Sequence, residues 1–464
     1  MPPRRLALDG ARVTTPAATR LRPVSIPALA RGEDAERDLL LPFRCLVFFT
    51  FVLFVSPQSM VPALEPLRLA KVSAGLAIAA YVIDRLSQGR SLTVRAPAVT
   101  LVLAFLAMAV LSVPFSRWPG GSVELLLNEF SKSVAIFFLL ANTVTTVARM
   151  RLMIGSMALW GILMAVTAVR DFASGNLALK GTRIAGYDSP LAANPNDLAL
   201  TLCLILALAI GLFQATRATV ARLLLLGAIG VCVAGVIASF SRAGFLTLIA
   251  IVLVLTAKRV SEKGPAAVAP LLALLLIGPS VLPQGYADRI YSIFDFSQDA
   301  TGSATARSDG MKLSLNLMIE NPLVGVGLGQ DVLGWLEKGG GWGKTHNAFL
   351  QVGADLGIPA FVVYLLLMWY ALKAARQPQK RLKAVAGGDE LLALGVGLEI
   401  AVVAYVVGAC FAPVPYHFYF FYVAGFIVAY QEIARRFLAR HEAATPLTRP
   451  APAAAREYRR DRDR

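Results

Sequence analysis

Charged side chains are scarce in this sequence: Asp, Glu, Lys and Arg make up 16% of its 464 residues, whereas soluble domains carry about a quarter. Together with a hydrophobic content of 56%, this shortage excludes a water-soluble globule. Cysteine is scarce too, and the cysteines lie in apolar segments without CxxC or metal-ligand spacing: Cys45, Cys203, Cys232 and Cys410. We therefore expect packing cysteines and no metal site.

Long apolar runs fill most of the chain instead. Between Phe43 and Leu438, stretches of about 17–25 residues recur, each long enough to cross a hydrocarbon core of about 30 Å as a helix. Lipid offers no partner for free backbone groups, and the alternating pattern of a membrane barrel is missing. The sequence predicts an all-α polytopic membrane protein of about twelve transmembrane helices, the first of them at Phe43–Pro62.

The predicted organisation has five parts. They are a disordered basic cytoplasmic tail (1–42), transmembrane helices 1–9 (43–282), a large periplasmic loop with amphipathic helices (283–356), transmembrane helices 10–12 (357–438) and a second disordered cytoplasmic tail (439–464).

Orientation follows from the basic residues, which gather in the tails and in alternate short loops, as the positive-inside rule describes. The loop residues concerned are Arg90, Arg95, Arg149, Arg217, Lys258, Arg259, Lys263, Lys373, Arg376, Lys380, Arg381 and Lys383. The net charge of +16 therefore indicates membrane topology and not nucleic-acid binding.

Two longer segments fall on the outer side in this orientation, 173–196 and 283–345. They contain Arg183, Arg289 and Arg307, although the positive-inside rule disfavours arginine there. Each arginine is either functional or paired with a nearby aspartate on the surface.

Arg242 lies in a tight turn, Ser241 to Gly244, between the seventh and eighth predicted helices. The turn fixes its guanidinium at the outer interface, where a charge is costly unless it faces water or an anionic partner. Arg242 is therefore a functional candidate. The alternative is that it snorkels to lipid phosphates.

An amphipathic helix is predicted between Ser303 and Asn321, lying on the membrane surface with Arg307 in its first turn. Its apolar residues recur at i, i+4 and i+7: Met311, Leu315 and Met318. The glycine-rich Gly325–Gly329 that follows is interpreted as a turn, because no strand precedes it as in a phosphate-binding loop.

His346 opens an apolar stretch that is longer than the membrane is thick and that Gly357 and Pro359 should break. The first part is predicted to be a short helix with Thr345 as N-cap and His346 in its first turn. The helix dipole and a nearby lysine disfavour the imidazolium there, so we expect a neutral His346 that accepts a proton. The same helix start favours a phosphate. The alternative is a histidine that only caps the helix.

The other ionisable residues in apolar segments indicate no particular function. Glu129 and Lys132, three residues apart, can pair on one helix face, while Glu399 has no obvious partner. His441 is expected in the cytoplasm, and His417 in an interfacial aromatic belt with Tyr416, Tyr419 and Tyr422.

Four motifs, in this order, resemble the O-antigen ligase and O-antigen polymerase (Wzy-C) superfamily of bacterial envelope glycosyltransferases. They are RIAGYDSPLAANPNDLAL from Arg183, SFSRAGFLTL from Ser239, ARSDGMKLSLNLMIENPLVGVGLG from Ala306 and THNAFLQVGADLGIPAF from Thr345. Each motif is short, and their order and spacing between hydrophobic spans make the resemblance specific.

The resemblance implies a donor glycan on undecaprenyl diphosphate, transferred at the periplasmic face of the inner membrane without metal, nucleotide or other cofactor. Arg242 and Arg307, with Arg183, would hold the diphosphate, and His346 would take the proton from the acceptor hydroxyl. The further substrate-binding positions are Asn194, Asn196, Ser241, Arg289 and Asn347. Because no second carboxylate is placed to form a glycosyl-enzyme intermediate, direct displacement would invert the anomeric centre.

The acceptor distinguishes members of such a superfamily. A ligase transfers to the lipid A core and a polymerase to a second lipid-linked glycan, whereas a protein O-oligosaccharyltransferase usually has a larger soluble C-terminal region. We favour the ligase, with the polymerase as the alternative. The rival from another class is a twelve-helix transporter or flippase. Such a protein keeps its charged residues near the membrane midplane, in inverted repeats. Here most of the polar residues of interest lie in one outer loop region, and no repeat is evident.

Overall fold

The computed structural model describes residues 39–178, 183–269, 303–337 and 345–444, together with the single positions 272, 286 and 343. These residues form helices and connecting turns, without a strand, so the all-α prediction is confirmed. The helices are α1 (Leu40–Val55), α2 (Leu69–Ser87), α3 (Pro97–Ser112), α4 (119–143), α5 (Val147–Ala173), α6 (Pro195–Ala215), α7 (Thr219–Ala238), α8 (Arg242–Lys263), α9 (Ser303–Glu320), α10 (Asp331–Glu337), α11 (Ala348–Leu382), α12 (Asp389–Ala409) and α13 (Phe418–Ala444).

Eight of the described helices are long and apolar enough to cross a membrane: α2, α3, α5, α6, α7, α8, α11 and α12. α1 is a shorter apolar helix. The ninth predicted span, most of 283–302 and the far ends of both predicted tails lie outside the described residues. The number twelve and the extent of the loop therefore stay predictions.

The predicted end of the first helix is wrong. α1 ends at Val55 and does not continue to Pro62, because Ser56 adopts a left-handed conformation (φ 53°) and Pro57 starts a separate short helix. α1 begins at Leu40, and α13 continues to Ala444, so helical structure extends into both segments predicted as tails. Salt bridges within α13 and to α11, such as Arg381 with Glu442, stabilise that last part.

The centre of the described bundle is formed by α6 and α12. Of their apolar windows, 83% and 72% are buried inside the protein, more than in the other candidate spans. The two backbones touch where Gly211 faces Gly397: a Cβ on Gly211 would lie 2.8 Å from the Cα of Gly397. Small residues allow this close approach of helices in a membrane. α6 therefore gives rigid support to the residues at its N-terminus.

Basic side chains gather at one end of the bundle, where they form ion pairs between helices. Glu399 of α12, for which the sequence offered no partner, lies 2.6 Å from Lys258 of α8 and 2.7 Å from Arg376 of α11. The amide of Gln379 donates a hydrogen bond of 3.0 Å to the same carboxylate. The partners were not predictable because they come from two helices that are 141 and 23 residues away in sequence (399 − 258 and 399 − 376).

α9 packs against α11 by a face that the sequence analysis did not identify. Met311 and Leu315 are exposed, whereas Leu313 and Leu317 are buried in a small apolar cluster with Ala354 of α11. The helix is present as predicted: α11 covers its Leu313 side, and the apolar side with Met311 and Leu315 stays exposed.

The predicted break in α11 is confirmed at Gly357, whose backbone is non-helical with φ 80° and ψ 177°. Its neighbour Ile358 donates its backbone N–H to the carbonyl of Pro322 at 2.8 Å, so the loop after α9 fills the gap in the helix. A Cβ on Gly357 would lie 2.7 Å from the carbonyl oxygen of Leu323. Both the conformation and the space require glycine here.

Replacing this glycine tests the break. Gly357→Ala should lower the free energy of unfolding by about 1–3 kcal/mol, since the side chain strains the backbone and pushes the 322–323 loop away. The measurement is the thermal unfolding midpoint of the purified protein in detergent. Gly227→Ala on α7 is the matched control, since no atom lies within 4 Å of its added Cβ. Equal midpoints for the two variants would contradict the role given to Gly357.

Candidate functional site

Three of the predicted site residues meet at a single amide oxygen. Arg183, only 8% exposed, donates from Nη2 to Oδ1 of Asn196 at 3.0 Å, and from Nε to the carbonyl of Ser239 at 3.0 Å. The hydroxyl of Ser241 donates to the same Asn196 oxygen, also at 3.0 Å. These residues come from the α5–α6 connection, the start of α6 and the α7–α8 turn. We call Arg183, Asn196, Ser239, Ser241 and Arg242 the arginine cluster.

The α7–α8 turn brings Arg242 into this cluster. α7 ends at Ala238, and Phe240 reverses the chain with φ 51°, so the predicted tight turn is present. α8 begins at Arg242, two residues before the predicted start at Gly244. Ser241 is the N-cap of α8, since its Oγ accepts the backbone N–H of Gly244 at 3.2 Å. Arg242 is thus the first residue of the helix and is only 8% exposed.

The segment before α6 is held by hydrogen bonds to two other helices. The phenol of Tyr187 donates to the carbonyl of Val55 at the end of α1 (2.9 Å), and that of Tyr419 donates to the carbonyl of Leu191 (3.0 Å). Asn194 is the N-cap of α6, because its Oδ1 accepts the backbone N–H groups of the next two non-proline residues. The side-chain oxygen of Asn194 therefore caps the helix start, and its predicted substrate-binding role stays a prediction.

The arginine cluster combines two largely buried guanidinium groups with the starts of two helices. Helix N-termini carry a partial positive charge, and guanidinium groups bind phosphate oxygens in pairs. The arrangement suits a ligand with several negative oxygens. It is built on α6, the most enclosed of the candidate spans.

His346 lies in the three residues before α11 and is partly buried. The predicted N-cap, Thr345, is wrong: Asn347 caps α11, with its Oδ1 accepting the backbone N–H groups of Phe349 and Leu350 at 3.0 Å each. His346 is therefore just outside the helix and not in its first turn. The Asn347 oxygen, like that of Asn194, is used by the backbone.

A buried carboxyl network, which the sequence analysis missed, fixes the backbone next to His346. Asp331 of α10 accepts the N–H of Thr345 at 2.9 Å, and its own N–H donates to Asp355 of α11 at 2.9 Å. Tyr416 donates its phenol to the other oxygen of Asp355 at 3.0 Å. Burial raises the pKa of Tyr416 well above its usual value, and the nearby Asp355 carboxyl adds to the shift, so the phenol stays protonated and donates.

The glycine-rich segment after α9 is a turn, as predicted, and it closes the end of the short helical part of α11. Val326 and Gly327 donate their N–H groups to the carbonyls of Ala354 and Asp355, at 2.9 Å each. Gly325 lies so close that a Cβ would be 2.4 Å from the carbonyl oxygen of Asp355. These N–H groups are therefore engaged with α11.

This same segment is also joined to the α3–α4 connection. Ser122 of α4 donates its hydroxyl to the carbonyl of Leu328 at 2.9 Å, and Arg117 contacts both carboxylate oxygens of Glu337 at 2.7 Å. The region from α9 to α10 is thereby attached to the end of the bundle that carries the arginine cluster. Arg307, in the second turn of α9, is partly buried in this region, while Arg289 lies outside the described residues.

The start of α13 connects the arginine cluster with the His346 region. Tyr416 reaches Asp355, and Tyr419 reaches Leu191, three residues before the cap of α6. Tyr416, Tyr419 and Tyr422 are all nearly fully buried, so the predicted interfacial belt is wrong: each phenol finds its acceptor inside the bundle. Both groups of site residues therefore lie at the same end, opposite to the basic end.

Within the described residues there is no group of three or more His, Cys, Asp or Glu that could hold a metal ion. The four cysteines are free thiols, and Cys203 and Cys232 are buried in the packing of the helices. The candidate site thus consists of arginine, serine, asparagine and histidine side chains.

The family described as "O-Antigen ligase" matches residues 227–365, which contain Ser241, Arg242, Arg307, His346 and Asn347. This match confirms the resemblance predicted from the sequence, and it supports an O-antigen ligase or polymerase type of function in envelope polysaccharide synthesis. With the apolar helices, it indicates a bacterial membrane protein.

The search among curated proteins gave no match. A solved structure titled "Structural coordination of polymerization and crosslinking by a peptidoglycan synthase complex" is 17% identical, with 74% of this chain and 97% of that chain covered and a TM-score of 0.40.

Proposed function

We propose that this chain, whose residues 227–365 match the O-antigen ligase family, transfers a glycan from undecaprenyl diphosphate to a hydroxyl of the lipid A core at the periplasmic face of the inner membrane. The observation that carries the proposal is the arginine cluster, at the same bundle end as His346: Arg183 and Arg242 are each only 8% exposed, Arg183 bonds Asn196 at the start of α6, and Arg242 begins α8. A polymerase that transfers to a second lipid-linked glycan is the alternative within the same family.

The arginine cluster provides what a diphosphate leaving group requires. When the bond between the anomeric carbon and the phosphate oxygen breaks, its electron pair moves onto the diphosphate, which gains negative charge. Guanidinium groups that are already in place stabilise this charge without reorganisation. In this proposal Arg183, Arg242 and Arg307 hold the diphosphate, and the hydrogen bonds from Arg183 to Asn196 and Ser239 keep one guanidinium fixed.

His346 acts as the general base in this proposal. A sugar hydroxyl is a weak nucleophile until a base accepts its proton, and a neutral imidazole can do so near pH 7. The hydroxyl oxygen bonds to the anomeric carbon from the face opposite to the leaving diphosphate, so the configuration inverts. Asp331 and Asp355 position the histidine by fixing the backbone of Thr345.

The orientation of the site is supported by the distribution of charge. The ion pairs that include Arg151, Lys258, Arg381 and Lys383 lie at the end of the bundle opposite to the arginine cluster. The positive-inside rule assigns such an end to the cytoplasm. The candidate site then faces the periplasm, where a lipid-linked glycan is presented after translocation.

One reaction tests the proposal and separates it from its alternatives. The purified protein, in lipid nanodiscs, receives undecaprenyl-diphosphate glycan together with equal amounts of lipid A core and a second lipid-linked glycan. We expect glycan on the lipid A core and release of undecaprenyl diphosphate. Products are separated by gel electrophoresis and mass spectrometry. Chain extension of the lipid-linked glycan would instead identify a polymerase, and no covalent product with either acceptor would refute glycan transfer.

A further inference from the structure

A second pair of ionisable side chains lies at the site end of the bundle, outside the groups described above. Glu129 of α4 has its Oε2 3.3 Å from Nδ1 of His417, in the connection before α13. The two side chains are 45% and 26% exposed, so both are accessible. Glu129 is part of a π-helical turn, Leu126–Phe130, within α4. Such turns within α-helices frequently occur at functional sites.

The carboxylate of Glu129 has spare hydrogen-bonding capacity. Although its Oε2 is within ion-pair distance of His417, the atom is buried and no hydrogen bond of good geometry reaches it from the described residues. A buried carboxylate oxygen without a donor is costly. The side chain as a whole is 45% exposed, so its accessible part can accept a hydrogen bond from a ligand.

Further charges surround the pair. Lys132 lies almost one turn along α4, and the charges of Glu129 and of Lys71 at the start of α2 both act on it. Ionisable residues at such positions in apolar helices rarely face lipid, and they usually mark a water-filled path or a binding groove. Lys71, Glu129, Lys132 and His417 interact through the Glu129–His417 contact or through their charges, and we call this set of residues the Glu129 groove.

The Glu129 groove lies between the two parts of the candidate site. Its neighbour Tyr419 donates to Leu191 beside the arginine cluster, and Tyr416 donates to Asp355 beside the His346 region. The charges of Asp197, in the first turn of α6, and of Glu129 both act on Tyr419. The groove is therefore connected, through the start of α13, to both the arginine cluster and the His346 region.

We propose that the Glu129 groove is the acceptor subsite, in which Glu129 and His417 bind hydroxyl groups of the acceptor glycan. This inference rests on the proposed glycan transfer. A carboxylate accepts hydrogen bonds from sugar hydroxyls, and an imidazole and ammonium groups offer donors to the remaining sugar oxygens. A mixed set of one acid, two lysines and one histidine suits a polyhydroxylated ligand better than a diphosphate, for which the carboxylate would be repulsive.

Kinetics with two substrates test this assignment. Full-length wild-type protein, Glu129→Gln and His417→Gln are compared with undecaprenyl-diphosphate glycan and with whichever of lipid A core or second lipid-linked glycan the wild type uses. We expect KM for the acceptor to rise about tenfold in both variants, because charge-assisted hydrogen bonds are lost, while KM for the donor stays within about twofold. Glu124→Gln is the matched control, an exposed glutamate on the same helix.

A binding measurement tests the inference without relying on turnover. Delipidated core oligosaccharide is titrated into each purified variant by calorimetry, and thermal midpoints verify that the variants are folded. Weaker binding by Glu129→Gln or His417→Gln than by Glu124→Gln supports the subsite. An unchanged acceptor KM in both variants, or an equal rise in the donor KM, overturns it. If the wild type binds oligosaccharide but transfers nothing, the proposed function fails while the subsite assignment stands.

Discussion

His346→Ala should reduce glycan transfer by about 10²–10⁴-fold, the usual contribution of a general base. Without the imidazole, the acceptor hydroxyl has no group to take its proton, while the arginine cluster still binds the donor. The measurement is the initial rate with purified protein at saturating donor and acceptor. Membrane insertion and abundance should be unchanged, because the cap of α11 is formed by Asn347 and the carboxyl network uses the backbone of Thr345.

His441→Ala is the matched control, since His441 is the last-turn histidine of α13 at the basic end of the bundle. We expect wild-type rates for it. Full activity of His346→Ala would remove the assignment of the base and would leave His346 as a structural residue beside the helix cap. Loss of the His346→Ala protein from the membrane would show that His346 is also needed for folding, which contradicts the assignment of the helix cap to Asn347 alone.

Arg242→Lys should lower the rate by about 10²–10³-fold, as expected when a group that stabilises transition-state charge is lost. A lysine keeps the charge, but its ammonium group cannot contact two phosphate oxygens in the planar geometry of a guanidinium. Because Ser241 caps the helix with its own side chain, the start of α8 should remain intact. The measurement is the transfer rate at saturating donor, with the donor KM recorded in the same experiment.

Arg222→Lys on α7 is the control for this substitution, since its exposed guanidinium packs over the ring of Phe213 far from the arginine cluster. It should keep wild-type activity. Normal turnover of Arg242→Lys would show that the position requires only a positive charge. Such a result would favour the interpretation that Arg242 snorkels to lipid phosphates.

Local features of the fold were predictable because they depend on neighbours in sequence. The break at Gly357 follows from a glycine and a proline inside an apolar run, and the turn at 325–329 follows from three glycines. The tight turn between α7 and α8, next to Arg242, follows from the short polar interval between two apolar segments. In each case the deciding interaction is within a few residues.

The contacts that assemble the site were not predictable from local pattern. The hydrogen bonds from Tyr416 to Asp355 and from Tyr419 to Leu191 join residues 61 and 228 positions apart. The sequence analysis also placed Tyr416 and Tyr419 at the membrane interface. A cluster of tyrosines looks the same in a sequence whether it forms a buried network or an interfacial belt. Asp331 was missed because a lone acidic residue in a loop suggests solvent exposure.

The capping residues show a further limit. Thr345 and Asn347 are both good N-cap residues, and sequence alone does not decide which of them begins the helix. The structure selects Asn347 because Thr345 is engaged by Asp331 on its backbone N–H and by Ser314 on its hydroxyl. Tertiary contacts thus move the helix start by two residues and place His346 outside it.

The contacts of Glu399 with Lys258, Arg376 and Gln379 have a consequence for biosynthesis. A lone carboxylate entering the bilayer in α12 would oppose insertion, whereas a carboxylate with cationic partners is tolerated. Lys258 and Arg376 precede Glu399 in the chain, so the ribosome delivers α8 and α11 to the translocon before α12 emerges. In the proposed orientation both cations are then already at the cytoplasmic leaflet, and α12 can be accepted as a span with its charge neutralised on arrival.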